Sequence, residues 1–374
     1  MLRRVGFLLL VSVLLIPTPS AISALKSGNA CKVLGSSTVS QGKVYKCVLV
    51  KGKKVLQVQP AVKKAPSLPT PVKDNLFGLS SDLALNAFLE ITKYLNKQPE
   101  LTAGEVILEL SPNSSAKLAE ATLKDMEKGF RFWQSYTPRT TKIHMVFADR
   151  QDLEWFKATM VRIQPGNQEW LPRIYSLAET SPKNQYAGSN GFDSDGNALF
   201  FYLPGVETTP TSGGWLGVGP HEWTHFAQGV VTGDVTRGPC WFKEGQATYY
   251  GNVISNDSQV GWAKVWKNQI QSLKTDFPSF FQMEESTLRQ WFSEHELNTS
   301  NNVCGPDGVF TIGGLATEYL VGTVGVEGVT RFQLKLKTDE NWKAAISDVT
   351  GKPFESLMAD IVKFVLLQRT WASK

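Results

Sequence analysis

Histidine and cysteine are both scarce in this chain, with four of each among 374 residues. This scarcity excludes a fold that is held together by many metal ions or many disulfides. Two histidines or two cysteines close together are therefore a specific sign of a metal site or a disulfide. Beyond the N-terminus we find no apolar run that we expect to cross a membrane, so no transmembrane segment is predicted in the mature chain. The apolar fraction of 42% instead predicts a globular protein with a substantial core.

The N-terminus has the layout of a cleavable signal peptide. A short basic stretch ending at Arg4 precedes an apolar run, 5–16, which is too short to span a bilayer comfortably. Small residues follow up to Ala24. We therefore predict a signal peptide over 1–24 and a secreted, extracellular or cell-envelope location for the mature protein, where disulfides are permitted.

Positive charge is concentrated in one short segment. Residues 25–75 hold ten lysines, one aspartate and no arginine, a net charge of +9. Because the whole chain carries +5 and the signal peptide carries +2, residues 76–374 carry −6. A basic module outside the cell can attract a polyanionic cell-envelope polymer, although a solvated module without a partner explains the lysines equally well. Nucleic acid is not an expected partner, since Tyr45 is the segment's one aromatic residue.

Composition divides the mature chain into two domains joined by a linker. Residues 25–59 read as a small β module, 60–75 as a stiff Pro/Lys-rich linker, and 76–374 as the main domain. Two cysteines of the β module, Cys31 and Cys47, are predicted to pair. That leaves Cys240 and Cys304 as a second pair, with free buried thiols as the alternative.

The main domain changes character along its length. Before residue 205 predicted helices alternate with predicted strands. The last strand, Asn197–Pro204, is either the edge that binds an extended peptide or, equally well given its aromatic content, a buried core strand. After it only helices are predicted, at 217–231, 241–255, 259–274, 284–295, 309–322, 326–336, 340–348 and 353–370. This order predicts an α+β fold with a mixed N-terminal part and a helical C-terminal lobe.

The clearest chemical motif is "HEWTH", which spans 221–225 at the start of a predicted helix. His221 and His225 lie four residues apart on one helix face, so both imidazoles can reach one metal ion. Glu222 is rotated by about 100° around the axis, which suits a general base beside the metal rather than a ligand. With four histidines, the pattern arises by chance on the order of a few times in a thousand such chains.

A catalytic zinc site needs a third protein ligand and an open position. Gln228 and Val231 occupy the places where one zincin group has glycine and its third histidine, so that group is excluded. Asp234, His295 and Glu244 remain as candidates. Glu244 is favoured because it lies on a second predicted helix, 19 residues after the second histidine, which can return antiparallel and direct its carboxylate at the same metal.

The motif "HEWTH" with "WFKEGQATYY" after it resembles the gluzincins, the thermolysin-like and peptidase-MA-like zinc metallopeptidases. Their signature follows the first motif with W-x-x-E-G-x-A-x-Y. The matching positions are Trp241, Glu244, Gly245, Ala247 and Tyr249. The resemblance implies a zincin-like fold, Zn²⁺ as cofactor, and these roles: His221, His225 and Glu244 as ligands, and Glu222 as base.

One position departs from the pattern of the related aminopeptidases. They place a tyrosine that stabilises the oxyanion where this chain has Phe310. Alternative donors are Tyr249, Tyr250, Tyr319 and His295, each of which is also a reasonable packing residue.

We therefore expect a secreted zinc-dependent peptidase that acts on a peptide or protein substrate. The alternative is a catalytically inactive protein with a zincin fold that binds the cell envelope or another protein. A hydrolase of non-peptide amides is a third option.

Overall fold

The computed structural model describes the following residues: 26–30, 37–40, 43–50, 53–58, 81–100, 105–137, 142–164, 171–180, 186–190, 197–205, 217–234, 236–296, 304, 308–339 and 341–374. The predicted signal peptide and linker lie outside these residues, and so does Cys31 of the predicted Cys31–Cys47 pair. The chain divides into two compact units, Met1–Lys64 and Ala65–Lys374.

The first unit contains a three-stranded antiparallel sheet. Its strands are β1 (Ser37–Ser40), β2 (Lys43–Val50) and β3 (Lys53–Val58), in the order β1-β2-β3. Tyr45 and Leu56 form its small apolar core together with Cys47. Exposed Lys46 lies between Tyr45 and Cys47, and exposed Gln57 follows Leu56, which is the period-two pattern of a sheet with one buried face.

The second unit begins with a mixed sheet and the helices that cover it. The elements in chain order are α1 (Ser81–Lys97), β4 (Val106–Leu110), α2 (Ala116–Trp133), β5 (Lys142–Phe147), α3 (Leu153–Ile163), α4 (Leu171–Thr180), β6 (Tyr186–Asn190) and β7 (Asn197–Leu203). The strand order is β4-β5-β7-β6, with β6 antiparallel to β7 and the other pairs parallel. Helix α4 was not predicted from the sequence.

The position of β7 decides between the two interpretations of Asn197–Pro204: the strand is buried and is not the edge that binds a peptide. β7 lies between β5 and β6, and its residues from Ala198 to Leu203 are all buried. Ala198, Phe200 and Tyr202 belong to the main core of the unit. Leu199, Phe201 and Leu203 point to the other face and form a smaller core with residues of α3. A continuous apolar run such as "ALFFYL" is typical of a strand buried on both faces. Among the strands that the structure describes, the edge on this side of the sheet is β6.

All described elements after β7 are helical. The α-helices among them are α5 (Val218–Thr232), α6 (Cys240–Ser255), α7 (Gln259–Asp276), α8 (Glu285–Glu294), α9 (Val309–Leu336), α10 (Trp342–Thr350) and α11 (Phe354–Ser373). The predicted α+β class with a helical C-terminal lobe is thereby confirmed.

Helix α9 is bent where the sequence predicted two separate helices. Gly325 has a φ of 69° within it, a left-handed conformation that glycine adopts readily. By length and composition α9 is able to cross a membrane, but 78% of its most apolar stretch is buried within the structure. The absence of a transmembrane segment remains a prediction.

A single carboxyl group lies in the centre of the helical lobe. The side chain of Glu318 is fully buried, and its Oε2 accepts hydrogen bonds from Trp266 Nε1 at 3.1 Å and from Gln368 Nε2 at 2.9 Å. Burial raises the pKa of Glu318 from about 4.5 to about 8. Glu318 is therefore neutral at pH 7 in the folded protein and ionised in the unfolded chain.

Because Glu318 is neutral in the folded state and ionised in the unfolded state, the protein is predicted to become less stable as the pH rises. Between pH 4.5 and 8 the unfolded state loses the proton that the native state keeps, so the contribution of Glu318 to stability falls as pH rises. Glu318→Gln removes the titration and keeps the acceptor oxygen. We expect its Tm to match that of wild type near pH 4.5 and to exceed it by several degrees at pH 8, a gain on the order of a few kcal/mol. Thermal unfolding at both pH values checks this, and an equal gain at both would contradict it.

Candidate metal centre

Helices α5 and α6 lie side by side and antiparallel, as the sequence predicted. The N–H of Gly217, just before α5, donates to Asp125 Oδ2 at 3.1 Å, and the hydroxyl of Ser255 at the end of α6 donates to the same oxygen. One carboxylate on α2 therefore holds the start of α5 beside the end of α6. Its negative charge also suits the N-terminus of α5.

Helix α6 is a core helix with one position open to the site. Glu244 is the one residue between Cys240 and Ser255 that is not buried. The next residue, Gly245, contacts the backbone of α9, because a Cβ placed there would lie 2.1 Å from the carbonyl carbon of Gly313. The absence of a side chain at Gly245 therefore allows α6 to pack closely against α9.

His221, His225 and Glu244 converge at one point. Their ligand atoms all lie within 4.8 Å of one another, so the group could hold a metal ion. His225 Nε2 is 3.2 Å from His221 Nε2 and 3.1 Å from Glu244 Oε2, and His221 Nε2 is 3.9 Å from the same carboxylate oxygen. Two imidazoles and one carboxylate are donors that suit a divalent transition metal.

The electrostatics of the group favour a cation. Burial lowers the pKa of His221 to about 3, with a smaller contribution from the charge on His225. This imidazole therefore stays neutral and keeps a lone pair that a metal ion can bind. Burial opposes charge on Glu244 and His225, but their mutual attraction outweighs it. It lowers the pKa of Glu244 to about 2 and raises that of His225 to about 9. A metal ion that binds here must displace the Nε2 proton of His225.

Glu222 lies beside the group rather than in it. Its Oε1 is 4.0 Å from His221 Nε2, and its side chain is 8% exposed. Burial raises its pKa to about 7, the range in which a carboxyl can take and return a proton at neutral pH. Ser189 lies on the edge strand β6, and its Oγ donates a hydrogen bond to the backbone oxygen of Glu222 at 2.8 Å. This contact places β6 next to the metal group.

Two polar side chains that contact the histidines were missed as functional residues. His225 Nδ1 is 2.9 Å from Gln228 Oε1, and His221 Nδ1 is 3.4 Å from Thr248 Oγ1. Helical spacing could have found Gln228, since it lies three residues after His225 on the same face of α5.

The other candidate ligands lie apart from the group in the part of the chain that the structure describes. The carboxylate of Asp234 accepts hydrogen bonds from the backbone N–H and the hydroxyl of Thr236. His295 stacks on Trp291, with ring centroids 4.2 Å apart, and its Nδ1 contacts the carbonyl of that residue. Glu244 is thus the candidate that the fold brings to the two histidines.

An aromatic ring borders the histidines where the resemblance implied a hydroxyl donor. The ring of Phe310 lies 6.1 Å from that of His221 and is 37% exposed. Tyr249 and Tyr250 are fully buried, and Tyr249 packs against Trp262 and Trp266.

Tyr319, another candidate donor, lies at a different place. Its hydroxyl contacts Lys352 and Asp360.

The predicted Cys240–Cys304 disulfide is confirmed. It joins the first residue of α6 to Cys304, in the segment before α9. The start of α6 is further held by hydrogen bonds from the N–H groups of Cys240 and Trp241 to the carbonyls of Glu296 and His295. The bridge lies four residues before Glu244 and therefore restrains the helix that carries the carboxylate.

Comparisons with protein-family models, with curated proteins and with solved structures found no match to this chain. The geometry of the three convergent side chains is consequently the main guide to function.

The ligand set can be tested by a matched pair of acidic substitutions. We expect Glu244→Ala to weaken Zn²⁺ binding by more than about 100-fold, because losing a ligand costs more than losing a group that supports one. Asp234→Ala should bind Zn²⁺ like wild type, since its carboxylate caps a loop. Isothermal titration calorimetry measures both. The reverse result would show that the ligand is Asp234.

Proposed function

We propose that the chain is a secreted zinc-dependent peptidase of the gluzincin type. The observation that carries the proposal is the convergence of His221, His225 and Glu244 with Glu222 beside them. The donor set fits zinc, which is commonly held in hydrolases by two histidines and a glutamate. The match of "HEWTH" and "WFKEGQATYY" to the gluzincin signature supports the same conclusion.

The three ligands would hold the ion, and Glu222 would move the proton. A zinc ion supplies Lewis-acid chemistry, because it polarises a carbonyl group and makes water more acidic. A carboxylate oxygen of Glu222 takes a proton from the attacking water as the water oxygen bonds to the carbonyl carbon. When the C–N bond breaks, Glu222 returns that proton to the leaving nitrogen. Its raised pKa suits both steps near neutral pH.

The edge strand β6 is positioned to hold an extended substrate. Among the described strands, β6 pairs with β7 on one side, so its other side offers backbone donors and acceptors. Ser189 links this strand directly to the helix that carries Glu222. We infer that a peptide adds to β6 as a further strand and lies across the metal group.

A binding protein without catalytic activity is the second candidate. It is favoured by one observation: the residue that borders His221 is Phe310, which has no hydrogen-bond donor to stabilise an oxyanion. The lysine-rich first unit would then provide contact with a polyanionic envelope polymer.

Two measurements separate these candidates. The purified chain should contain about one zinc per molecule and should hydrolyse an unstructured protein such as casein. Glu222→Gln should keep the zinc and lower kcat by at least about 100-fold, since it removes the general base without removing a ligand. Wild-type protein that holds zinc but is inert on a broad peptide library would establish the binding protein instead.

A further inference from the structure

A chain of three buried glutamines begins at the metal group. Gln228 of α5, Gln246 of α6 and Gln333 of α9 are 4%, 0% and 1% exposed. They lie far apart in sequence, yet each is hydrogen-bonded to the next. Buried amides need a partner for every polar atom, and here the partners are mainly one another.

One backbone carbonyl determines how the first amide is oriented. A side-chain amide can be turned either way, since its oxygen and nitrogen are nearly equal in size. Gln228, however, lies 2.9 Å from the carbonyl oxygen of Lys243, which can only accept a hydrogen bond. The Nε2 group of Gln228 must therefore face this oxygen, and its second N–H donates to Gln246 Oε1 at 2.8 Å. The Oε1 of Gln228 is left to face His225.

This orientation defines the proton on His225. Because Gln228 Oε1 is an acceptor, the Nδ1 atom of His225 at 2.9 Å must carry hydrogen. In the neutral imidazole the lone pair then resides on Nε2, the atom that faces Glu244 and His221. A flipped amide would present N–H to Nδ1 and favour the tautomer that cannot bind a metal through Nε2.

We propose that Gln228 is a positioning residue, which selects the metal-binding tautomer of His225 by accepting its Nδ1–H. The Lys243 carbonyl fixes the orientation of the Gln228 amide. Helix α6 therefore supplies the third ligand, Glu244, and also the carbonyl that determines, through Gln228, the tautomer of the second ligand, His225. Gln246 and Gln333 complete the hydrogen bonding of the buried amides: Gln246 Nε2 donates to Gln333 Oε1 at 3.2 Å, and Gln333 Nε2 donates back at 2.8 Å.

The inference rests on the metal site of the proposed function, but not on hydrolysis. The two can therefore fail separately. Inert wild-type protein that binds zinc would end the peptidase proposal and leave Gln228 in its role, whereas normal zinc binding without Gln228 would do the opposite.

The first test is Zn²⁺ affinity of the full chain, measured by competition with a chelator at fixed pH. Gln228→Met keeps the length of the side chain and removes its donor and acceptor. We expect it to bind Zn²⁺ roughly 10- to 100-fold more weakly, as is typical when the hydrogen-bond partner of a metal-binding histidine is lost.

Two control variants separate positioning from stability. Gln333→Met removes the far end of the amide chain, and Gln368→Met removes a fully buried glutamine that donates to Glu318. Both should lower Tm and bind Zn²⁺ near the wild-type value. If all three variants weaken binding in proportion to their loss of stability, Gln228 is structural only and the proposal is overturned.

An NMR signal tests directly whether Nδ1 of His225 carries a proton. The deciding measurement is made on the wild-type chain, so it does not depend on whether a variant folds. In the Co²⁺-loaded wild-type chain, the Nδ1–H of His225 should give a paramagnetically shifted ¹H NMR signal that exchanges slowly with water, because Gln228 holds that hydrogen. Gln228→Met should lose or broaden the signal, and Gln368→Met should keep it. Rapid exchange of the His225 signal in the wild type would overturn the proposal, as would wild-type protein that binds neither metal.

Discussion

The backbone contact between Gly245 and Gly313 is the constraint on which the helical lobe depends. It allows α6 to lie against α9 without side chains between the two helices. With α5 on another side, α6 is buried almost all round, and Glu244 is its one residue that is not buried. Any side chain at either glycine would move α6 away from α9 and shift the carboxylate relative to the two histidines.

So much burial has a consequence for the polar groups of the region. A buried amide or carboxyl without a partner costs about 1–3 kcal/mol, so polar residues in this core must satisfy one another. Gln228, Gln246 and Gln333 do so in a chain, and Oε2 of Glu318 accepts hydrogen bonds from Trp266 and Gln368. The same low-dielectric surroundings separate the pKa values of the site residues, which makes the region suited to binding a cation and to moving a proton.

Much of this arrangement was predictable, because it depends on local spacing. The separation of four residues placed both histidines on one face, and a second helix after a reversing loop placed Glu244 opposite them. Helix α6 was recognised through its motif, since a helix buried on every side has no amphipathic pattern to detect. The break near Gly325 was also predicted, since one helix was expected to end at residue 322 and the next to begin at 326.

What escaped prediction depends on contacts between distant segments. The interior position of β7 follows from pairing on both sides, and its apolar run alone left an edge strand and a buried strand equally possible. Helix α4 has a short and unremarkable sequence. Gln228 was used only to exclude a zincin group, because a glutamine gains its meaning from Lys243 and Gln246, and these are near it only in the folded chain.

Because of the disulfide, the geometry of the metal site depends on the redox conditions around the chain. Cys240 and Cys304 are 64 residues apart, and closing a loop of that length stabilises a fold by roughly 4 kcal/mol in chain-entropy terms. A chain kept under reducing conditions lacks that restraint at the very end of α6 from which Glu244 is presented. The same polypeptide is therefore a poorer chelator before oxidation than after it, and recombinant material made in a reducing cytoplasm will under-report its affinity for metal.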